Sequence, residues 1–376
     1  MLTGLGSTYK SNKAMQSITE MIAIIATVFV WIRMWPFIFR RTTGRWNKPV
    51  INESVPLVSI IVPARDEALM IRGLLASLLQ LNESAIEIIV VDDASKDDTA
   101  RIAAEFPVKV ISAPEKPANW VGKNWACFIG AREAKGKLLL FTDADTRHKA
   151  GSLIKAIRYL NNAEAQLLSV PIYHSCRHWW EKLIGPFHCL MQFANSPYRK
   201  HNASNAIAVG QYLLFDAAFY HSIGGHAAVY NQLCEDAELA KRVLKFNGKF
   251  VVHTDSVLCE SQMYTGFEAF ANGWTRLLRL GLQQLSITQV LLTLLPLFAL
   301  NVYNWADPSL VSLLPVMLTL SCFGLVQQRI GRFNIAGLLL FPFSVLMFLV
   351  LSCRAMWYGI NKAPVEWRGR VYQNAA

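Results

Sequence analysis

The sequence predicts an α/β fold, a mostly parallel sheet covered by helices on both faces, held to a membrane at either end. Three observations carry this expectation. Apolar β-branched runs alternate with helical spacings between about residues 50 and 262. Polar and acidic residues gather where those runs end, and two long apolar stretches flank the whole region.

The flanks come first. The chain has 376 residues, 53% hydrophobic and only 17% charged, against about 45–50% and about 25% in an average soluble domain. This excludes a disordered chain and argues against a purely soluble one. Residues Ile18 to Phe39 form an apolar stretch broken by Arg33 and followed by Arg40, Arg41, Arg45 and Lys48. A span needs about 20 apolar residues, and basic residues just after it place the central region in the cytoplasm. A cleaved signal peptide would have a shorter apolar core followed by small residues, not RRTTGR.

At the other end, Ile287 to Tyr303, Leu310 to Val326 and Asn334 to Met356 are apolar, separated by WADPS and QQRIGR. Three spans would leave the tail outside, yet Lys362, Arg368 and Arg370 place it in the cytoplasm. A re-entrant segment would restore the parity, and the last stretch holds Pro342 near its middle. The expected organisation is a tail and anchor over 1–49, a catalytic domain over 50–262, an interfacial amphipathic helix over 263–284, a transmembrane bundle over 285–357 and a basic tail over 358–376.

The 37 basic and 26 acidic residues leave a charge of +11. Nucleic acid is one reading of that excess. Because many of the basic residues flank apolar segments, attraction to an anionic membrane surface is the stronger one, and no nucleic-acid partner is expected. Seven cysteines include no CxxC pair, so neither a zinc site nor a disulfide framework is indicated.

Within the central region LVSIIV (Leu57 to Val62) reads as a strand and Asp66 to Leu81 as a helix. EIIVVD (Glu87 to Asp92) is a second strand, followed by a short helix over Asp98 to Glu105. VKVIS, the helical GKNWACFIGAREAKG and KLLLFTD (Lys137 to Asp143) continue the alternation. Continuous apolar strands separated by helices indicate a parallel sheet buried on both faces, and ligands then bind at the carboxyl ends of the strands.

Those ends carry PARDE (Pro63 to Glu67), DDASKDD (Asp92 to Asp98) and DAD (Asp143 to Asp145). Neither GxGxxG nor GxxxxGK[ST] is present, so the usual backbone cradles for phosphate are missing. In extended chain Asp143 and Asp145 point to one side, where two carboxylates repel unless a cation lies between them. Oxygen-only ligation with open positions suits Mg2+ or Mn2+. The alternative is that one aspartate caps a helix beginning near Ala150. Asp97 and Asp98 read as helix caps, whereas Asp92, last in its strand, is the better ligand contact.

Further along, GQYLLFD (Gly210 to Asp216) is a strand and CEDAELAKRVLKFNG opens a helix with Glu235 and Asp236 in its first turn. Carboxylates there complement the helix dipole, and one of them can also serve as general base toward a hydroxyl. Between Phe267 and Gly281, residues Phe267, Phe270, Trp274, Leu277, Leu278 and Gly281 share one helical face and Arg276 the other. An interfacial helix with Arg276 toward the active site fits, as does an ordinary core-facing helix. The aromatic stretch from Ala165 to Asn205 is a candidate wall for an apolar acceptor. Its His174 and His178 lack the glutamate of HExxH and read as packed or surface residues.

In order and spacing, VSIIVPARDE, VVDDASKDDT, GKNWA, FTDADT, GQYLLFD, IGGH and EDAELAKRVLKFNG resemble family 2 glycosyltransferases. The branch it looks most like is the membrane-bound one around ceramide glucosyltransferase and the carotenoid- and hopanoid-associated enzymes, supported by GGHAAV, Gln262 to Tyr264, Gly273 to Thr275 and VEWRGRVY (Val365 to Tyr372). The resemblance implies a GT-A fold, Rossmann-like with a mostly parallel sheet. It implies a nucleotide pocket lined by Pro63, Arg65, Glu67 and Asp92, with Asp92 near the base, Lys123 near the phosphates and Asp143 on the nucleoside. It further implies metal at Asp145, a catalytic base at Asp236 and an acceptor loop at Gly224 and Gly225. Arg65 and Asp66 depart from the family's usual aromatic and Asn, and the QxxRW element of processive polysaccharide synthases is replaced by NGWTRLLRLG. Trp274 and Arg276 are its possible substitutes and, with Glu235, candidates for the acceptor site.

The implied reaction is inverting, metal-dependent transfer of one sugar from a nucleotide sugar, UDP-hexose first, to the hydroxyl of a membrane lipid of carotenoid or hopanoid type. Processive polysaccharide synthesis and transfer to polyprenyl phosphate are the enzymatic rivals, and a basic membrane scaffold is the non-enzymatic one. The expected location is an integral membrane protein with its catalytic domain on the cytoplasmic face.

Overall fold

The computed structural model describes residues 2–39, 56–81, 85–195, 206–253, 257–262, 264, 266–284, 287–300 and 310–372. The basic run over 40–48, WADPS and part of the aromatic stretch, 196–205, lie outside them. In chain order the elements are α1 (Leu2–Phe39), β1 (Val58–Ala64), α2 (Ala68–Leu79), β2 (Ile86–Asp92), α3 (Thr99–Ala103), β3 (Lys109–Ser112), α4 (Gly122–Glu133), β4 (Leu138–Thr142) and β5 (Thr146–His148). Next come α5 (Ser152–Asn162), β6 (Leu167–Ser169), β7 (Tyr173–His174), α6 (Trp179–Leu183), α7 (Gly185–Asn195), β8 (Tyr212–Asp216), α8 (Ala217–Ser222), a 3-10 turn (Gly225–Val229), α9 (Glu235–Lys245), β9 (Phe250–Val252) and β10 (Cys259–Ser261). The chain closes with α10 (Phe267–Gln284), α11 (Ile287–Ala299), α12 (Leu310–Ile330), α13 (Ile335–Leu339), α14 (Phe341–Ile360), β11 (Val365–Trp367) and β12 (Arg370–Tyr372).

These elements fall into two compact units. One comprises 1–40, 178–196 and 284–348, and the other 41–177, 197–283 and 349–376. The second half of α14 and the tail, 349–376, group with the α/β unit.

The α/β unit is built on a sheet whose order, among the described residues, is β3-β2-β1-β4-β8-β6-β9. β1 pairs in parallel with β2 and β4, β2 with β3, and β6 with β9, whereas β8 runs antiparallel between β4 and β6. The strands are apolar at nearly every position because both faces are covered. Val58, Ile60 and Val62 pack on one side with Leu74, Leu75 and Leu78 of α2 and Leu153 of α5. Ile61, Leu139 and Phe141 pack on the other with Cys127 of α4 and Leu239 of α9. Ile60 and Ile61 are fully buried, each worth about 1.5–3 kcal/mol relative to exposure. The register sets Ala64 beside Asp92 and Ile61 beside Phe141. The loops after β1, β2 and β4 therefore emerge together at one edge.

Two helix boundaries differ from expectation. α2 starts at Ala68, not Asp66, because Asp66 has φ 53 and ends its own turn. α5 begins at Ser152 with Gly151, not an aspartate, at its N-cap, so neither Asp143 nor Asp145 is consumed as a cap. In α10, Phe270, Trp274 and Leu278 are buried, while Phe267 and Leu277 are exposed. Half of the expected apolar face is thus covered by protein, while Phe267, Leu277 and Gly281 stay exposed.

The helical unit holds most of the apolar surplus. Gln16–Phe39, Val311–Ile330 and Phe341–Ile360 are long and apolar enough to cross a membrane. α11 has 13 residues, about 20 Å at 1.5 Å per residue, short of the ~30 Å hydrocarbon core. The expected span over Asn334 to Met356 divides instead into α13 and α14, and Pro342 stands in the first turn of α14, not mid-helix. Arg33, which interrupts the first span, donates from Nε to the Phe193 carbonyl at 2.7 Å and from Nη2 to the Ala194 carbonyl at 3.1 Å. A charge at membrane depth costs about 2.5–3.5 kcal/mol unless it finds such partners. Thr27 and Thr319 hydrogen-bond across α1 and α12 at 3.1 Å, a polar link of the kind that joins helices where water is absent.

Candidate active site

The three loops at the sheet edge enclose a cavity of about 470 Å³ in the α/β unit. Of the residues expected from sequence, Pro63, Arg65, Glu67, Lys123, Asp143, Asp145 and Arg276 line it. Asp92, Glu235, Asp236, Gly224, Gly225 and Trp274 are not among its lining.

Lys123, in the first turn of α4, is the hub. Its Nζ lies 2.9 Å from Asp143 Oδ1 and 2.9 Å from Glu235 Oε1. Burial works against its charge, but the carboxylates of Asp143 and Glu235 outweigh it and hold the ammonium well above its usual range. Beside it, Asp236 Oδ2 accepts the Gly210 N–H at 2.8 Å. Gly210, the first residue of GQYLLFD, sits in tight space: a Cβ there would stand 3.2 Å from Asp236 Oδ2, 3.2 Å from Lys123 Nζ and 3.3 Å from Glu235 Oε1. Burial first, and then the neighbouring Glu235, push Asp236 up to about 7, against the pull of Lys123. An aspartate poised there can take a proton at neutral pH.

Asp145 lies two residues beyond Asp143 on the loop after β4. Its Oδ2 accepts the Ser261 hydroxyl at 3.0 Å, while its buried Oδ1 has no hydrogen-bond partner. Burial and then Asp143 raise it to about 6. A buried, unpartnered carboxylate oxygen beside a second carboxylate fits a hard divalent cation. Among the described residues no group of three or more His, Cys, Asp or Glu could hold one, so two protein carboxylates would leave coordination positions open for phosphate and water.

The acidic loop after β2 divides its work differently from expectation. Asp92 is buried, with Oδ2 accepting the Ser95 N–H at 3.3 Å and Oδ1 unpartnered. Asp93 is the residue that reaches the cavity. Asp97 is more than a cap, since Oδ1 accepts the Thr99 N–H at 3.0 Å and Oδ2 the Ala68 N–H at 3.0 Å, tying α3 to α2.

Gly224 and Gly225, with φ 84 and 47, shape the turn in which the Tyr220 hydroxyl meets His226 Nδ1 at 2.8 Å. That turn is held to α4 by Asn124, whose Nδ2 donates to the Val229 and Gln232 carbonyls at 2.8 Å each. Trp274 packs toward Phe270, with ring centroids 6.5 Å apart, while Arg276 on the opposite face stacks 5.4 Å over the Trp367 ring. His174 lies in β7, where burial pushes it down to about 4. His178 precedes α6 and donates its backbone N–H to Glu181 at 2.8 Å.

The C-terminal hairpin is the part of the site that sequence reasoning missed. β11 and β12 pair Trp367 with Arg370, and the connecting Arg368 and Gly369 have φ 48 and 68, the positive pair that a two-residue hairpin turn demands. Arg368 pairs with Glu67 and Arg370 with both oxygens of Asp93. The Gly122 N–H donates to the Tyr372 hydroxyl at 3.2 Å, and Arg65 Nε donates to the Arg368 carbonyl at 3.0 Å. The available signal was WRGRVY itself, two arginines around a turn glycine.

Residues 59–219 match the family described as "Glycosyl transferase family 2". The chain is 25% identical over 378 aligned positions to a 4,4'-diaponeurosporenoate glycosyltransferase of Staphylococcus aureus (strain N315), covering 93% of this chain and 97% of that protein. The protein of that name from Staphylococcus haemolyticus (strain JCSC1435) is 26% identical over 360 positions, covering 89% and 93%. Among solved structures, the mannosyltransferase PcManGT of Pyrobaculum calidifontis, in complex with GDP-Man and Mn2+, aligns with TM-score 0.48 and 16% identity over 91% of this chain and 99% of its own. S. aureus TarS in complex with UDP-GlcNAc aligns with TM-score 0.42 and 15% identity over 84% and 95%.

Proposed function

We propose that this chain, whose residues 59–219 match the family 2 glycosyl transferases, transfers one sugar from a nucleotide sugar to a carotenoid-type membrane lipid with inversion at the anomeric carbon. The observation that carries this reading is the largely buried Lys123, Asp143, Glu235 and Asp236 cluster beside a donor-sized cavity, in a chain with three helices among the described residues long and apolar enough to cross a membrane.

Asp236 is the base. The Gly210 N–H fixes its Oδ2, and its elevated pKa of about 7 gives its carboxylate the basicity to accept the acceptor's proton as the acceptor oxygen attacks. Lys123 holds Asp143 and Glu235 in place and supplies positive charge at the cavity wall. Asp145, with Asp143, would hold Mg2+ or Mn2+, which when bound supplies positive charge to the departing diphosphate. The partial burial of Asp236 limits the access of water to it, which favours transfer to an acceptor over hydrolysis of the donor.

The relatives' names support the acceptor class, since they give a carotenoid carboxylate, 4,4'-diaponeurosporenoate, as the substrate of those proteins. That name also favours a second reading in which the attacking oxygen belongs to a carboxylate, and the product is a sugar ester. Mild alkali distinguishes the two: a glycoside formed at a hydroxyl survives it, whereas an ester releases its sugar.

The span count supports a cytoplasmic catalytic domain. Among the described residues two candidate spans lie between the domain and its tail, Val311–Ile330 and Phe341–Ile360, an even number that would return the tail to the domain's own side. Lys362, Arg368 and Arg370 in the tail, and Arg40, Arg41, Arg45 and Lys48 after the first span, support the cytoplasm as that side.

A further inference from the structure

We propose that Arg368 and Arg370 of the C-terminal hairpin bind the donor's diphosphate, exchanging Glu67 and Asp93 for phosphate oxygens when the donor enters. The inference rests on the nucleotide-sugar reading above and adds to it the residues that receive the most highly charged part of the donor.

The cavity wall is acidic, with Glu67, Asp93, Asp143 and Asp145 all facing it. A diphosphate entering such a cleft meets repulsion unless cations offset it. Of the cations that line the cavity, Lys123 is already shared between Asp143 and Glu235. Arg65 is spent on backbone: its Nη1 donates to the Asp93 and Ala94 carbonyls and its Nε to that of Arg368. Arg276 is stacked on Trp367. Arg368 and Arg370 alone among these direct guanidinium groups at carboxylates of the wall, Glu67 and Asp93.

Arg370 grips both oxygens of Asp93, and Arg368 gives Nη2 to Glu67 and Nη1 to the Asp66 carbonyl at 3.2 Å; a guanidinium can turn such paired N–H donors to a phosphate. Both carboxylates can tolerate the loss. Burial foremost, offset by Arg368 and reinforced by Asp145 and Asp143, raises Glu67 to about 8 even with that arginine beside it, so its carboxyl does not depend on the arginine's charge. Burial likewise raises Asp93, with Arg370 the main counterweight. The hairpin is meanwhile stitched to the donor loops by bonds that do not use these forks' carboxylate partners, through the Arg368 carbonyl to Arg65 and the Tyr372 hydroxyl to Gly122. It can remain seated while the forks change partner.

The test is binding to the full chain in detergent, measured by calorimetry and ligand-observed NMR with UDP against uridine and GDP against guanosine. Arg368 is the safer site to alter because its side chain is 42% exposed. Arg368→Gln should weaken the diphosphate about tenfold or more while leaving the nucleoside within about twofold, and Arg368→Lys should recover only part, since charge without the fork is a poorer fit. Arg370→Gln strands Asp93, so it is paired with Asp93→Asn. That double variant should show the same selective loss. Equal weakening of nucleoside and diphosphate, or wild-type diphosphate affinity in the variants, would overturn the proposal. If the unaltered protein binds neither diphosphate, the nucleotide-sugar reading falls and this inference falls with it.

Discussion

Lys123 Nζ lies 2.9 Å from Glu235 Oε1, linking the first turn of α4 to the first turn of α9. The same ammonium is 2.9 Å from Asp143, just past the end of β4. One largely buried cation thus joins the donor loop to the helix that carries the proposed base.

Removing that cation should be costly. Lys123→Met would leave Asp143 and Glu235 without their counterion, with Glu235 almost wholly buried, a loss of about 3–5 kcal/mol by analogy with broken buried pairs. Chemical denaturation of the full chain in detergent measures it, and unchanged stability would contradict the role of Lys123 as their counterion.

Gly210→Ala tests the close packing around Asp236. The added Cβ would press on Asp236, Lys123 and Glu235 at 3.2–3.3 Å, tighter than ordinary contact. Turnover should fall by about tenfold or more, with a smaller change in donor affinity. Equal turnover in the variant would mean that Asp236 is not held where the reaction needs it.

The pH dependence comes from the raised carboxyls. Asp236, ordinarily at 3.8, stands at about 7 in the fold, so its basic form grows as pH rises and transfer should climb between about pH 6 and 8. The stability effect runs the other way. A raised carboxyl contributes stability that is complete below pH 3.8 and is lost as pH rises through about 7. Asp236→Asn should remove this part of the stability loss, and a rate profile that falls across that window would refute the base role.

A reporter fused after Ala376 checks the topology. The two candidate spans between domain and tail predict a cytoplasmic reporter. A reporter found outside would require a further crossing and would separate the tail from Glu67 and Asp93.

Much of this site is legible in the residues alone. β1, β2 and β4 announce themselves as unbroken apolar runs because helices cover both faces, and the acidic loops fall where such strands end. Asp143 and Asp145 are found that way, whereas Lys123 is singled out only by the resemblance to family 2 glycosyltransferases. What sequence hides is set by tertiary packing. Nothing in the pattern DD says that Asp92 turns into the core while Asp93 reaches the cavity. Gly210 looks like a strand-start glycine until three charged groups converge on it. The pairing of Arg368 with Glu67 crosses some 300 residues and has no local signature beyond two arginines at a turn. The face of α10 reads first as interfacial, with a core-facing helix as the alternative, and the pattern does not foretell that Phe270, Trp274 and Leu278 are buried while Phe267 and Leu277 are exposed.

The central claim is that Asp236 drives transfer of one sugar to a membrane lipid, and mass spectrometry of membrane lipids from cells making either the unaltered chain or Asp236→Asn tests it most directly. The account predicts a lipid carrying one added hexose with the unaltered chain and none with the variant, while the purified variant still binds nucleoside diphosphate. The same glycolipid at the same level in both would contradict it.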